Sequence, residues 1–433
     1  MLAALRKTIF GVDFTPWHAG WLCVLGGLGL SLLGLYAIDL GTNELAPKSG
    51  EIITMSGLVL RQTIYLGIGL LAAGLIAAPH LRWIRFIAWP LMWILIGLLI
   101  FLLIPFVPTW LVHPRNGARA WIELGPIDFQ PGELAKVAFV LVMADYLRYR
   151  QNHRTILGLI PPAAIAFIPA ALITLQPDLG MALLFAPAIF AMLLAAGAKI
   201  KHMVAVVVIA LCAIPVSYLF MKPHQKARID GMFAMVSDPK AGAEGINYQP
   251  LTAQMLIGAG QVVGLPDAKT RTLQKYNALP ERHNDMILSV IMTRFGLLGG
   301  LALLGLYGMW FLGAFLTAAM CKDPFGQLVV IGLTTLLFAQ MFINIGMVIG
   351  ILPIIGLTLP FVSYGGTSMV TVWLMTGIIF SVGTRRLGGA YWLSRPTFEF
   401  SDNPSYGPAF PQPKFAPAAA SRRRNASLPS PKP

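Results

Sequence analysis

The chain has 433 residues, of which 56% are hydrophobic and 12% charged, with a mean hydropathy of +0.71. Soluble domains carry about 25% charged residues, so an ordinary soluble enzyme is excluded. So are a disordered chain, a collagen and a disulfide scaffold: Cys23, Cys212 and Cys321 are too few for a framework and lack zinc-ligand spacing. The net charge of +14, from 32 basic and 18 acidic residues, points to an anionic membrane surface and not to nucleic acid, because many basic residues flank apolar runs.

Ten apolar segments follow in chain order, at about 18–38, 62–78, 86–107, 132–147, 156–175, 179–197, 203–221, 286–317, 327–349 and 359–383. A bilayer crossing takes roughly 20 apolar residues, and a backbone in lipid must satisfy its own hydrogen bonds. The expected fold class is therefore all-α, a polytopic membrane protein with about ten transmembrane helices. None of the segments alternates as a barrel strand does. The first run is too long for a signal-peptide core and lacks a small-x-small cleavage site, so it is expected to remain as a membrane helix.

Basic residues in short loops set the orientation. With the N-terminus inside, one set of ends holds Arg6, Lys7, Arg82, Arg85, Arg148, Arg150, Arg154, Lys199, Lys201, Lys322, Arg385 and Arg386; the other holds Lys48, Arg61, Arg115 and Arg119. Twelve against four places both termini in the cytoplasm, as an even number of helices requires. Residues 1–389 form the expected membrane domain, with outer loops at about 108–131 and 222–285. The longer loop should be partly folded or functional. Residues 390–433, rich in Pro, Ser and Arg, read as a disordered cytoplasmic tail, whose Arg422–Arg424 run is a solvated charge or a contact for anionic lipid.

The candidate functional residues also come in order. Arg115 and Arg119 flank Asn116-Gly117-Ala118 and could meet phosphate oxygens, with Trp121 beside them as a sugar-stacking or membrane-interface ring. QPGELAK (130–136) starts a helix: Pro131 suits its first turn, Glu133 complements its dipole, and Glu133 and Lys136 share a face. They form either a packing pair or part of a site. Asp145 and Arg148 read as an interfacial ion pair. Asp178, in QPDLG (176–180), is a helix cap or a site carboxylate. LPERHND (279–285) gathers Glu281, Arg282, His283, Asn284 and Asp285 at the membrane surface. A carboxylate there is partly desolvated and so a stronger base, with a helix cap as the alternative. Gly350–Pro353 and Pro360–Gly366, the latter containing Ser363, predict non-helical backbone at membrane depth, which is tolerated only against protein or a wet cavity.

Four ordered stretches, NGARAWIELGPIDFQPGELAK (116–136), QPDLG (176–180), LPERHND (279–285) and NIGMVIGILPIIGLTLPFVSYGG (344–366), resemble the SEDS family, whose members include RodA and FtsW, over about residues 1–385. NIGMV looks like RodA and GLTLPF like FtsW; the balance leans to RodA and cell elongation. The resemblance implies a peptidoglycan glycosyltransferase of the cytoplasmic membrane that polymerises lipid II on the outer face. An acceptor 4-hydroxyl would attack the donor's anomeric carbon and expel undecaprenyl diphosphate.

The resemblance assigns Asp285 as general base, or as ligand to a divalent cation (Mg or Mn). It places Glu133, Lys136 and Asp178 in a substrate cavity, with Lys136 and nearby arginines offsetting the diphosphate charge. Arg115, Arg119, Trp121, Glu281, His283 and Ser363 join them as substrate-binding candidates. It implies membrane lipids and a class B penicillin-binding protein as partners, and no nucleic acid. The alternatives are a lipid II flippase, which should carry ionisable groups at the midplane, and a non-catalytic scaffold. The chain departs from the family at Asn284 (usually Thr), at Ala120 (often Arg), at Thr252-Ala253 (usually Gln-Ser) and at Gly258-Ala259-Gly260-Gln261 (usually Gly-Ser-Gly-Gly). These departures bear on acceptor-side and glycan-exit contacts.

Overall fold

The computed structural model describes residues 18–42, 56–208 except 109, 113, 115–117, 125–126 and 149–154, scattered positions from 226 to 245, and 247–385 except 278. The expected tail at 390–433, most of segment 203–221 and Arg115 lie outside the described residues. The described helices all lie within Met1–Thr397.

These helices are α1 (Gly20–Thr42), α2 (Gly57–Ala77), α3 (Leu81–Leu103), α4 (Pro131–Leu147), α5 (Ile160–Leu175), α6 (Leu179–Leu183), α7 (Phe185–Ala195), α8 (Tyr248–Gly260), α9 (Asp267–Tyr276), α10 (Ile287–Met320), α11 (Pro324–Val348) and α12 (Gly366–Thr384). Seven helical stretches among the described residues are long and apolar enough to cross a membrane: α1, α2, α3, Leu157–Leu175, α10, α11 and α12. Strands β1 (Ile122–Leu124) and β2 (Ile127–Phe129) form one antiparallel hairpin between α3 and α4, pairing Ile122 with Phe129.

Two of the ten expected segments are not long spans, and a third is described only in part. Segment 132–147 forms α4, whose 17 residues span about 26 Å at 1.5 Å per residue. Fourteen of those 17 residues are buried, so α4 is an inner helix covered by its neighbours. Segment 179–197 is broken at Leu184 into α6 and α7. Segment 203–221 is described only to residue 208, where it is helical.

Local chemistry sets the helix starts. Ser56, Asp178 and Asp323 accept from the backbone N–H of Val59, Met181 and Gly326 at 3.3, 3.0 and 3.2 Å, the usual service of a short polar cap. Pro131 and Pro324 occupy first turns, where a missing N–H costs nothing. The stretch 350–365 is non-helical, as its Gly and Pro predict.

The apolar run 286–317 conceals a break. Gly296 has φ 63° and ψ −156°, dividing α10 in two. The turn after α8 docks there: the N–H groups of Leu297 and Leu298, orphaned by the break, donate to the carbonyls of Gln261 and Val262 at 2.9 and 3.1 Å. A Cβ on Gly296 would lie 2.4 Å from the Val262 oxygen, so glycine is required by both conformation and space. Helix α9 is fastened to α1 and α10 by Arg271–Asp39 (2.7 Å), by an Arg294–Asp267 ion pair and by Tyr36, which donates to Asp267 at 2.9 Å. Helix α9, within the connection preceding Asp285, is thus folded onto α1 and α10.

Candidate active site

The turn preceding α10 carries Asp285. The N–H groups of Asn284 and Met286 both donate to the Glu281 carbonyl, at 2.9 and 3.3 Å, and Glu281 adopts φ 53°. Asn284 Nδ2 donates to the Glu281 carboxylate, and Arg282 Nη1 donates to the Gln274 carbonyl of α9 at 2.6 Å. Asp285 itself is 9% exposed.

Three consecutive carbonyls of this turn are taken by three different groups. His283 O accepts from the Tyr364 N–H at 2.9 Å. Asn284 O accepts from Ser363 Oγ. Asp285 O accepts from Asn344 Nδ2 of α11 at 2.8 Å. Ser363 Oγ also accepts from the Leu359 N–H at 2.7 Å, and Asn344 Nδ2 also donates to Leu357 O at 2.6 Å. Gln62 of α2 braces the far side, donating to Ser363 O at 3.0 Å and accepting from the Gly365 N–H at 3.2 Å. With its backbone committed this way, the turn holds the side chains of 283–285 in fixed directions.

The same α11 face reaches the second polar cluster. Lys136 Nζ lies 2.9 Å from Glu133 Oε2 and donates to Gln340 Oε1 at 2.8 Å. Gln340 Nε2 in turn donates to Thr358 O at 3.0 Å. Gln340 and Asn344 are four residues apart and so project from one face. Asp178 caps α6 and accepts from Gln130 Nε2 at 3.3 Å. Burial raises the Asp178 carboxyl above the ordinary range, and the nearby Glu133 adds to this, against the Met181 N–H and Lys136. The Gln130 N–H donates to Thr367 Oγ1 at 3.1 Å, and that hydroxyl donates to Asp128 O of β2 at 2.7 Å, which ties the hairpin to the start of α12.

Several sequence expectations are refined by this geometry. The Lys136 side chain is 0% exposed and matched by a carboxylate. Ser363 is 5% exposed and its hydroxyl bonds two backbone groups, which latches the turn. The Arg119 guanidinium is turned to the carbonyls of Pro105 and Val107, at 3.5 and 3.4 Å. Trp121 is half-buried, Glu281 is exposed, and His283 is half-buried with its ring edge-on to Tyr364 at 5.8 Å. Burial lowers the His283 pKa, so the ring is neutral near pH 7. Asp145 pairs with Arg148 at 3.2 Å, as the spacing predicts, and accepts from Trp89 Nε1 at 3.1 Å. Thr252 and Ala253 are buried in α8, and Ala120 is 3% exposed, so these departures lie in packing.

Gln62, Gln130, Gln340, Asn344, Thr358 and Thr367 do not stand out in the sequence. The available signal is a pair of amides at i and i+4 inside an otherwise apolar run, because polar groups in a span rarely lack a role. As to a divalent cation, no three His, Cys, Asp or Glu side chains among the described residues converge to hold a metal. Asp285 does not complete a metal site with such residues.

The family described as "Cell cycle protein", covering FtsW, RodA and SpoVE, matches residues 30–387. The chain is 34% identical over 360 residues to the "Probable peptidoglycan glycosyltransferase FtsW" of Thiomicrospira cyclica, covering 80% of this chain and 87% of that one. It is 34% identical over 272 residues to the "Peptidoglycan glycosyltransferase MrdB" of Escherichia coli K12, covering 63% and 72%. Among solved structures it is similar to a chain of a peptidoglycan synthase complex studied for its coordination of polymerization and crosslinking (TM-score 0.69, 29% identity, 85% of this chain and 98% of that one). It is also similar to the rod shape determining protein RodA of Thermus thermophilus (TM-score 0.61, 26% identity, 85% and 98%).

Proposed function

This chain belongs to the FtsW/RodA/SpoVE family and is a multi-pass membrane peptidoglycan glycosyltransferase; on that premise we propose that it polymerises lipid II at the outer face of the cytoplasmic membrane with Asp285 as general base. The acceptor's 4-hydroxyl oxygen forms a bond to the donor's anomeric carbon. The bond from that carbon to the diphosphate breaks, and undecaprenyl diphosphate leaves with the electron pair. The hydroxyl proton passes to the Asp285 carboxylate.

The observation that carries this assignment is the turn whose three successive carbonyls are pinned. A general base must be held within hydrogen-bond reach of the proton it takes, and a backbone committed at residues 283, 284 and 285 supplies that hold. Glu133 and Lys136 form a buried, charge-matched pair, so their proposed role is to fix the start of α4 and not to touch the leaving group. Asp178, beside them, holds α6 and Gln130. Trp121, Glu281 and His283 remain proposed substrate contacts at the rim, with Arg115 and Arg119 proposed near the diphosphate.

The flippase reading would put ionisable groups at mid-membrane on broken helices. Here Glu133 lies in the first turn of α4 and Asp285 precedes α10, while the broken helices carry their gaps at Gly296 and Leu184. We further propose an elongation role, supported by the NIGMV run, and a class B penicillin-binding protein as partner, supported by likeness to a synthase-complex chain. Depletion that rounds cells fits elongation; filamentation would assign the chain to division.

The central test is glycan synthesis from lipid II by the purified protein with its partner transpeptidase, comparing wild type with Asp285→Ala. Equal polymer from both removes the base assignment and, if the protein in liposomes moves lipid II without polymer, installs the flippase. Loss of polymer with Asp285→Ala also argues against a scaffold.

A further inference from the structure

We propose that Asn344 is a positioning residue for the transfer reaction, setting the aim of the Asp285 carboxylate through the Asp285 backbone. The proposal rests on Asp285 being the base. Asn344 is 0% exposed near the C-terminal end of an apolar helix. Its amide has two hydrogens, and both are used: one on Asp285 O at 2.8 Å, the other on Leu357 O at 2.6 Å. The amide orientation follows from its partners, since the reverse would set its oxygen against two carbonyl oxygens. One side chain therefore joins the turn before α10 to the 350–365 connection.

The other end of the amide shows that packing does not account for this residue. Asn344 Oδ1 is buried and has no hydrogen-bond partner among the described residues. An unmet buried acceptor is costly, and a leucine of similar size would avoid it. An amide is kept at this position although an apolar side chain would pack without that penalty, so the two donated bonds are what the position requires. One helical turn earlier, Gln340 makes the parallel link from Lys136 to Thr358. The α11 face thereby fixes the catalytic turn and the buried pair against the same connection, through Leu357 and Thr358. Misplacing a reacting group by about 1 Å costs on the order of 100-fold in rate, and Asp285 O is a single residue's backbone away from its own carboxylate.

The test uses the full chain with its partner transpeptidase and lipid II. Asn344→Leu should lower kcat by about 10- to 100-fold, with KM for lipid II changed by less than about two-fold, the pattern of an interaction that matters in the transition state. Asn344→Asp supplies a readout that a merely structural role would not move. The introduced carboxyl has one O–H, and only when protonated, so it can restore one of the two donated bonds at low pH and neither when ionised; the ratio of its activity to wild type should rise as pH falls from 8 to 6. If Asn344→Leu does not yield monodisperse protein, the isosteric Asn344→Asp decides alone by that ratio. Wild-type kcat in Asn344→Leu, a loss confined to KM, or a flat ratio for Asn344→Asp overturns the proposal. Asp285→Asn, run beside them, separates the two claims. An active Asp285→Asn removes the base assignment and this proposal together; an inactive one beside normal Asn344 variants removes this proposal alone.

Discussion

Replacing Lys136 with methionine probes how the buried pair is held. The substitution keeps much of the side-chain length and removes the ammonium, which lies 2.9 Å from Glu133 and 2.8 Å from Gln340 with 0% exposure. Glu133, 3% exposed, would then be a carboxylate without its cation. Removing one partner of a buried ion pair costs roughly 3–5 kcal/mol, because the other charge is left uncompensated. Lys136→Met should therefore lower the unfolding temperature of the detergent-purified protein by on the order of 5–10 °C. Glu133→Gln/Lys136→Met, which removes both charges, should lie close to wild type. A single variant as stable as the double would refute the reasoning that the pair is held by mutual neutralisation.

Three further outcomes are expected. Asp178→Asn should unfold within about 0.5 kcal/mol of wild type, because asparagine caps as well as aspartate and burial already disfavours charge there; Asp178→Ala should cost about 1 kcal/mol, and equal losses would refute the cap. Gln261 has φ 48° and ψ −135°, a conformation suited to glycine, which the family usually carries there. Gln261→Gly should raise stability by about 1 kcal/mol, and a lower melting temperature would count against it. His283 has a folded pKa below its ordinary 6.5, chiefly through burial, so below 6.5 the folded state binds fewer protons than the unfolded one. Its contribution is intact above 6.5 and is lost as pH falls through the depressed value. The melting temperature of wild type should fall more than that of His283→Gln between pH 7 and 5; parallel curves would show that the ring is not titrating.

What the sequence made legible was local. Asp178 caps the helix it precedes, Pro131 opens α4, Asp145 pairs with Arg148, and the Gly and Pro of 350–366 break the helix where expected, because each depends on neighbours a few residues away. The break at Gly296 was hidden in an unbroken apolar run, since nothing within that run tells of a turn at 260–265 docking into it. The pinning of residues 283–285 was likewise out of reach: it depends on Asn344, Ser363 and Tyr364, 59 or more residues along the chain. Lys136 illustrates the intermediate case. Spacing paired it correctly with Glu133, but its second partner, Gln340, lies on a distant helix and could not be read from neighbouring residues.

The residues that hold the site are mostly neutral amides, and the membrane setting explains why. Gln62, Gln130, Gln340 and Asn344 each join two elements through bonds that require no charge on the amide. A carboxylate or ammonium used for the same link would need a desolvated counter-charge, which is costly unless its geometry is excellent. An amide supplies donors and an acceptor without that demand. The ionisable groups of the frame include the self-neutralising Glu133–Lys136 pair, Asp178 as a helix cap, Glu281 and Arg282 in the turn, and Asp285, which in the proposed reaction must accept a proton. At the outer latch of α9 the links are ionic instead, Asp39 with Arg271 and Asp267 with Arg294, and these side chains are 14–46% exposed, where water lowers the cost of carrying charge. The division between amide links inside and ion pairs outside follows the dielectric of each location. It leaves the amide links of the frame less dependent on salt and pH than the ion pairs that hold α9.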